Sequence, residues 1–212
     1  MNLPVLIVGS GGHAAVVADA LLASGVAVLG CVDTDPGRRG AVVCGVSVLG
    51  TEAALDAHPQ SDTRLANGIG GVRCEGLRRS VQERLEAGGW QFVGVRHPAT
   101  VISPFAEIGA GVQLLAGCIV QANARIGKGT IVNTASVVEH DVTLGEFVHV
   151  APRALLCGEA AVGADSHVGA GAVVRQGVRL GERTLVGAGA VVVGDSPGGA
   201  TLLGVPARET VS

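Results

Sequence analysis

The chain has 212 residues, room for two small domains, and its formal net charge of -3 gives nucleic acid no electrostatic hold. With 34 glycines and only 2 % aromatic residues, large rings cannot fill the core; Val, Leu, Ile and Ala must, which suits thin, regular layers. Only 16 % of residues are charged, a composition suited to a chain that hides apolar surface in an oligomer.

The opening run PVLIV, residues 4–8, is continuously apolar and reads as a buried parallel strand rather than a signal peptide, because no basic segment precedes it. GSGGH follows, then AAVVADALLASG reads as a helix closed by Gly25. VAVLGCVDTDP is a second strand ending at Asp33 and Asp35, and GVSVLGTEAALDAHP repeats the strand-turn-helix idea. TRLANGIGG is another strand with a glycine turn, and VRCEGLRRSVQERLEAGG an amphipathic helix. Alternation of this kind predicts a small α/β domain over residues 1–97, with Pro98 at the junction and a second domain over 98–212. No apolar run approaches the roughly 20 residues needed to span a bilayer. The 5 cysteines never form C-x-x-C and read as buried reduced thiols, so a cytoplasmic location is expected.

Beyond the junction the pattern changes. From Ile102, a step of 6 residues lands on Ile108, Leu114, Val120 and so on to Val186 and Val192, 16 aliphatic residues without a slip. A small or β-branched residue follows each by 4, as at Ala106, Cys118, Thr130 and Ser136. Glycine often comes directly after the aliphatic residue, as at Gly127, Gly145 and Gly163, where it is expected to relieve a turn needing positive φ. This is the signature of a solenoid of short parallel strands, with three hexads per coil and equivalent positions 18 residues apart. Neighbouring coils then lie about 4.8 Å apart.

The titratable groups gather in TASVVEHDVTLGEFVHVA, Thr134 to Ala151. His140 stands two residues after the inward Val138, at a corner from which it projects outward. Histidine is the side chain poised for proton transfer near neutrality, and either Glu139 or Asp141 is placed to orient it. Gly158, 18 residues on, lies one rung above His140, where its N–H is unobstructed. Cys157 directly follows an inward residue and reads as a packing thiol, since no base is specified beside it. His149 and His167 are one coil apart and should stack; their spacings from His140 do not suit a metal clamp, and no metal is expected. In the first domain the GSGGH turn between strand and helix offers N–H groups to a phosphate, and Asp33 suits a ribose or base contact. It is not a full G-x-G-x-x-G and is weak evidence for a dinucleotide. His58 and His97 precede prolines and read as structural.

Taken together, VLIVGSGGHAAVV, ANGIG, LEAGGWQFVGVRHPAT, GTIVNTASVVEHDVTLGEFVHVAP and the closing GVPAR resemble the PglD/NeuD type of bacterial sugar-nucleotide acyltransferases over nearly the whole chain. The resemblance implies an α/β Rossmann-like domain that binds a sugar nucleotide, then a left-handed parallel β-helix that carries acyl transfer from acetyl-CoA, with homotrimers and active sites between subunits. It makes His140 the general base and favours Asp141 as its partner. It places Asn133 by the acceptor group and His149 by acetyl-CoA. From the 18-residue step, the Gly158 N–H is expected to face the thioester oxygen of acetyl-CoA, and His167 is expected near the CoA groove or exposed. Gly11, Gly12 and His13 would approach the pyrophosphate, Asp33 the nucleoside, and Gly68 to Gly70 the sugar side. Where that family often has a lysine two residues after the Gly-His histidine, this chain has Ala15. The expected reaction is N-acetylation of a nucleotide-linked amino sugar. The alternatives are O-acetylation of a sialic-acid-like sugar, a non-catalytic sugar-nucleotide scaffold, and a metal-dependent hydratase.

Overall fold

The structure is a computed structural model that describes residues 3–71 and 76–210. It divides into two compact units, Met1–Pro98 and Ala99–Ser212.

In the first unit, β1 (Val5–Val8) is buried throughout and pairs in parallel with β2 (Val28–Val32) on one side and β5 (Arg64–Asn67) on the other. Both faces of such a central strand are covered, which is why it carries no polar residue. Helix α1 (Gly12–Ala23) follows β1 and ends at Ser24, with Gly25 in the left-handed region beyond it at φ 72°. The sheet continues through β4 (Val46–Gly50) to a short edge strand, β3 (Val42–Val43), which pairs antiparallel with β4. That hairpin turns at Cys44–Gly45, both at positive φ. The helix anticipated after β4 is instead a single 3₁₀ run, Glu52–Ala57. His58 precedes Pro59 and must be extended, at φ -122° and ψ 118°, so the run cannot lengthen into an α-helix. Helix α2 (Leu77–Ala87) buries Arg78, Val81, Gln82 and Leu85; the Val72–Glu75 part of the amphipathic segment lies outside the described residues. Burial pushes the Cys31 thiol in β2 up to about 11, as suits a reduced core cysteine.

The second unit is a parallel β-helix. Its short strands form three faces, and up to the last coil the ladder pairs join residues 18 apart, as in Ile119↔Val137, Arg125↔Thr143 and Ile131↔His149. The aliphatic residue of each hexad points into the core. From Leu114 to Val192 all are buried, whereas Ile102 is only partly buried and Ile108 is 40 % exposed at the end of the stack. A second inward ladder stands beside the first: Cys118, Ala124, Val142, Ala154, Ala160 and Ala172 are wholly buried.

Two features differ from the sequence reading. The positive φ falls three residues after the ladder residue, at Asn123, Ala135, Asp141, Phe147, Arg153, Glu159 and their equivalents, with φ between 54° and 63° for those six. The glycine directly after the ladder residue serves close approach instead: a Cβ on Gly127 would lie 2.5 Å from the Gly145 carbonyl carbon, and one on Gly163 would lie 2.4 Å from the Glu182 nitrogen. The last coil is also shortened. Leu185↔Thr201 and Val186↔Leu202 are joined at a spacing of 16 residues, after which the chain reverses and pairs antiparallel through Arg208–Glu209. No helix among the described residues is long and apolar enough to cross a membrane.

Candidate active site

His140 lies in the corner between the strand Val137–Val138 and the strand Thr143–Leu144. Its Nδ1 is 2.8 Å from Oδ2 of Asp141. The other oxygen, Oδ1, accepts a hydrogen bond of 3.1 Å from Asn123 Nδ2 on the preceding coil. Both members of the dyad are about half exposed, His140 at 51 % and Asp141 at 48 %. The hydrogen bond to Asp141 holds the His140 pKa above the usual histidine range; desolvation, the next largest cause, opposes it, and Asp141, Glu139 and Glu159 add to the rise through their charge. The same bond from His140, with that from Asn123, holds the Asp141 carboxyl below its usual range. Of the two acids flanking His140, the structure pairs Asp141 with the ring.

Gly158 lies against the face of that ring. A Cβ at 158 would sit 2.6 Å from both Cε1 and Nε2 of His140, so no larger residue fits without moving the imidazole. Gly158 itself lies in a turn, where its N–H is not part of a strand ladder; the adjacent Glu159 N–H takes the His140 carbonyl at 3.0 Å. Thus Nδ1 faces Asp141, and Nε2 is beside Gly158 and reachable from solvent.

His149 and His167 pair across neighbouring strands of another face, and their rings meet edge-on, 4.8 Å apart at an interplanar angle of 85°, rather than face to face. Asn133, at the end of the strand Ile131–Val132, brings Nδ2 within 3.1 Å of His149 Nε2. Asn133, His149 and His167 therefore form one cluster, and His140, Asp141, Asn123 and Gly158 form another. The sequence reading expected His149 and His167 to meet and assigned both to acetyl-CoA, but gave Asn133 to the acceptor; it missed Asn123. The 18-residue step could have found Asn123, since it is Asp141 minus one coil. Cys157 is half-buried and free. Among the described residues, no three His, Cys, Asp or Glu side chains are gathered as a metal site.

The first unit has its own cleft of about 460 Å³, lined by Gly9, Gly11, Gly12, His13, Asp33, Thr34, Glu52, Gly68 and Gly70 among others. All six residues singled out from the sequence of this unit line it. The approach of the β1–α1 turn to the β5 loop sets its floor: a Cβ on Gly68 would lie 2.6 Å from Ile7 Cγ2, and one on Gly70 2.9 Å from His13 Cβ. Helix α1 starts at Gly12, with Gly11 as its N-cap and no side-chain capping bond, and its N-terminus puts the positive end of the helix dipole on the cleft side of the turn, which suits an anion. Asp33 accepts from the Ser10 hydroxyl and, at 3.1 Å, from the Asp35 N–H. Arg38 braces Ser10 through its hydroxyl at 3.0 Å and its carbonyl at 2.6 Å. Burial works to raise the Asp33 carboxyl, but these hydrogen bonds and the Arg38 charge outweigh it and hold the group low. Glu52 is neutralised by a two-pronged pair with Arg84, at 2.8 and 2.7 Å. The β5 end is fixed by Asn67, which accepts the Ile69 N–H at 3.0 Å and donates to Gln82 at 3.1 Å.

Comparison with known proteins bears on both units. Residues 4–94 match the family described as PglD N-terminal domain. Perosamine N-acetyltransferase from Caulobacter crescentus, solved as a histidine-to-asparagine variant with CoA and GDP-perosamine, is 38 % identical over 100 % of both chains with a TM-score of 0.92. The acetyltransferase domain of PglB from Neisseria gonorrhoeae FA1090 is 36 % identical, over 99 % of this chain and 100 % of that one, with a TM-score of 0.90. WeeI from Acinetobacter baumannii AYE is 27 % identical over 99 % and 100 % of the two chains, with a TM-score of 0.87. A comparison with curated proteins returned no match. The fold is an α/β domain followed by the left-handed parallel β-helix of these enzymes. With full-length identity to acetyltransferases and a matching N-terminal domain, the chain belongs to the PglD/NeuD-type family of hexapeptide-repeat sugar acetyltransferases.

Proposed function

We propose that the protein transfers the acetyl group of acetyl-CoA to the amine of a nucleotide-linked amino sugar, with His140 as general base. The observation that carries this reading is the oriented His140–Asp141 pair beside Gly158, in a chain 38 % identical throughout to an enzyme solved with CoA and GDP-perosamine. Asp141 on Nδ1 fixes the neutral tautomer with its lone pair on Nε2, the nitrogen beside Gly158. The sugar amine attacks the thioester carbonyl as Nε2 takes its proton. The N–H of Gly158 donates to the developing oxyanion. The tetrahedral adduct then collapses, the carbon–sulfur bond breaks, and the His140 imidazolium returns the proton to the departing CoA thiolate. No covalent acyl-enzyme is needed.

The first-unit cleft suits the nucleoside diphosphate: Gly11, Gly12 and His13 at the start of α1 for the pyrophosphate, Asp33 for the nucleoside, and Gly68 and Gly70 toward the sugar. Asn133, His149 and His167 line the path assigned to the acceptor and acetyl-CoA. The protein works as a homotrimer in the cytoplasm. Supporting the trimer, one face of the β-helix turns a column of Val101, Ile119, Val137, Leu155, Val173 and Val191 outward, every member aliphatic and none buried. The test is incubation of the enzyme with acetyl-CoA and GDP-, UDP-, dTDP- or CMP-linked amino sugars, with mass detection of the acetylated sugar. Formation of an N-acetylated nucleotide sugar supports the reading; absence of acetyl transfer to every amino sugar overturns it.

A further inference from the structure

Asp141 could face His140 in several ways. Its carboxylate is 48 % exposed and, left alone, would turn among rotamers and exchange partners with water. What holds it lies one coil away. Asn123 Nδ2 reaches Oδ1 at 3.1 Å, and the opposite oxygen, Oδ2, is the one on His140 Nδ1 at 2.8 Å. The two corners are built alike: Asn123 sits at φ 60° and Asp141 at φ 61°, so side chains 18 residues apart leave the backbone in register. Nearby Arg125 also steadies the Asp141 carboxylate through its charge, while its Nε stands 3.6 Å from Glu107 Oε1 on the coil below. The directional hold on Asp141 comes from the Asn123 amide, because a hydrogen bond fixes direction and a nearby charge does not.

We propose that Asn123 is a positioning residue for acetyl transfer: its carboxamide locks the Asp141 carboxylate in the orientation that holds His140 with Nε2 free. This rests on His140 being the base. Around the ring, Glu139 and Asp141 from its own coil and Glu159 from the next supply negative charge, and Arg125 with its partner Glu107 stands beyond Asp141. When the amide is removed, water replaces its hydrogen bond at nearly equal strength but not its direction. The His140–Asp141 bond is then made for less of the time, and the imidazolium loses part of its stabilisation.

The substitution that isolates this role is Asn123→Gly, since glycine accepts the left-handed corner and occupies the equivalent corner at Gly177, φ 71°. In the intact enzyme, the titration of His140 is followed by NMR, with its signal assigned by its loss in His140→Gln. The expected result is a lower His140 pKa than in the parent, an acid limb of the pH–rate profile moved the same way, and kcat reduced about fivefold to tenfold. KM for acetyl-CoA and the melting temperature should stay near the parent's. An unmoved His140 titration overturns the proposal, whether kcat holds or falls, because a fall without it is a general structural effect. Failure of the parent to acetylate any amino sugar would instead remove the functional reading, and the NMR titration would still decide whether Asn123 sets His140.

Discussion

His140 and Gly158 depend on each other across a coil. An alanine at 158 would place its Cβ 2.6 Å from the imidazole, so the ring must swing off its bond with Asp141. Gly158→Ala should reduce kcat about 100-fold, as misplacement of a reacting group by an ångström does, with the melting temperature little changed. Steady-state kinetics beside a thermal melt would check it; an unimpaired variant would mean that the ring does not depend on Gly158 for its position. The pH dependence follows from the raised imidazolium. Below its pKa His140 is protonated and cannot act as base, so the acid limb of kcat/KM should lie above the ordinary value of about 6.5. Asp141→Asn removes the main cause and should move that limb down in pH while lowering kcat. At this scale the sequence was readable where neighbours in space are neighbours in the chain, as with His140 and Asp141. Asn123 was not, because its role depends on a contact across one coil that only the 18-residue step reveals.

The hexad ladder is the element that carries stability. Leu156 is wholly buried, and the strand it belongs to pairs on both sides, with Val137–Val138 and with Val173–Val174. Leu156→Ala should cost about 2–5 kcal/mol, read from denaturant unfolding, because stacked coils cannot close over the gap. A loss below half a kilocalorie would show that the coils slide to refill it. Such repeats were plain in the sequence because inward aliphatic residues recur at a fixed step whatever lies between them. The end of the ladder was less so. Asp195 and Ser196 fold back on the last full coil, with Asp195 Oδ1 accepting the Arg179 N–H at 2.8 Å, and the final coil loses two residues. In the first unit the alternation of strands and helices was equally readable, but the β3–β4 hairpin and the 3₁₀ run before Pro59 turn on single residues at Cys44, Gly45 and His58 rather than on periodicity.

At the scale of the whole molecule, the aliphatic column on one β-helix face bears on assembly. Val173→Glu sets a charge in the middle of that column without touching the core, since Val174 is the buried member of its strand. If the proposed trimer forms through this face, light scattering should show it in the parent and smaller species in the variant, with activity lost alongside; an unchanged mass would place the interface elsewhere. The most direct test of the account is acetyl transfer itself. The parent enzyme and His140→Ala are compared with acetyl-CoA and a GDP-linked amino sugar, the class bound by the Caulobacter enzyme. The account predicts an N-acetylated nucleotide sugar from the parent and a rate roughly 10²–10⁴-fold lower from a folded His140→Ala. Equal rates from the two proteins would contradict it.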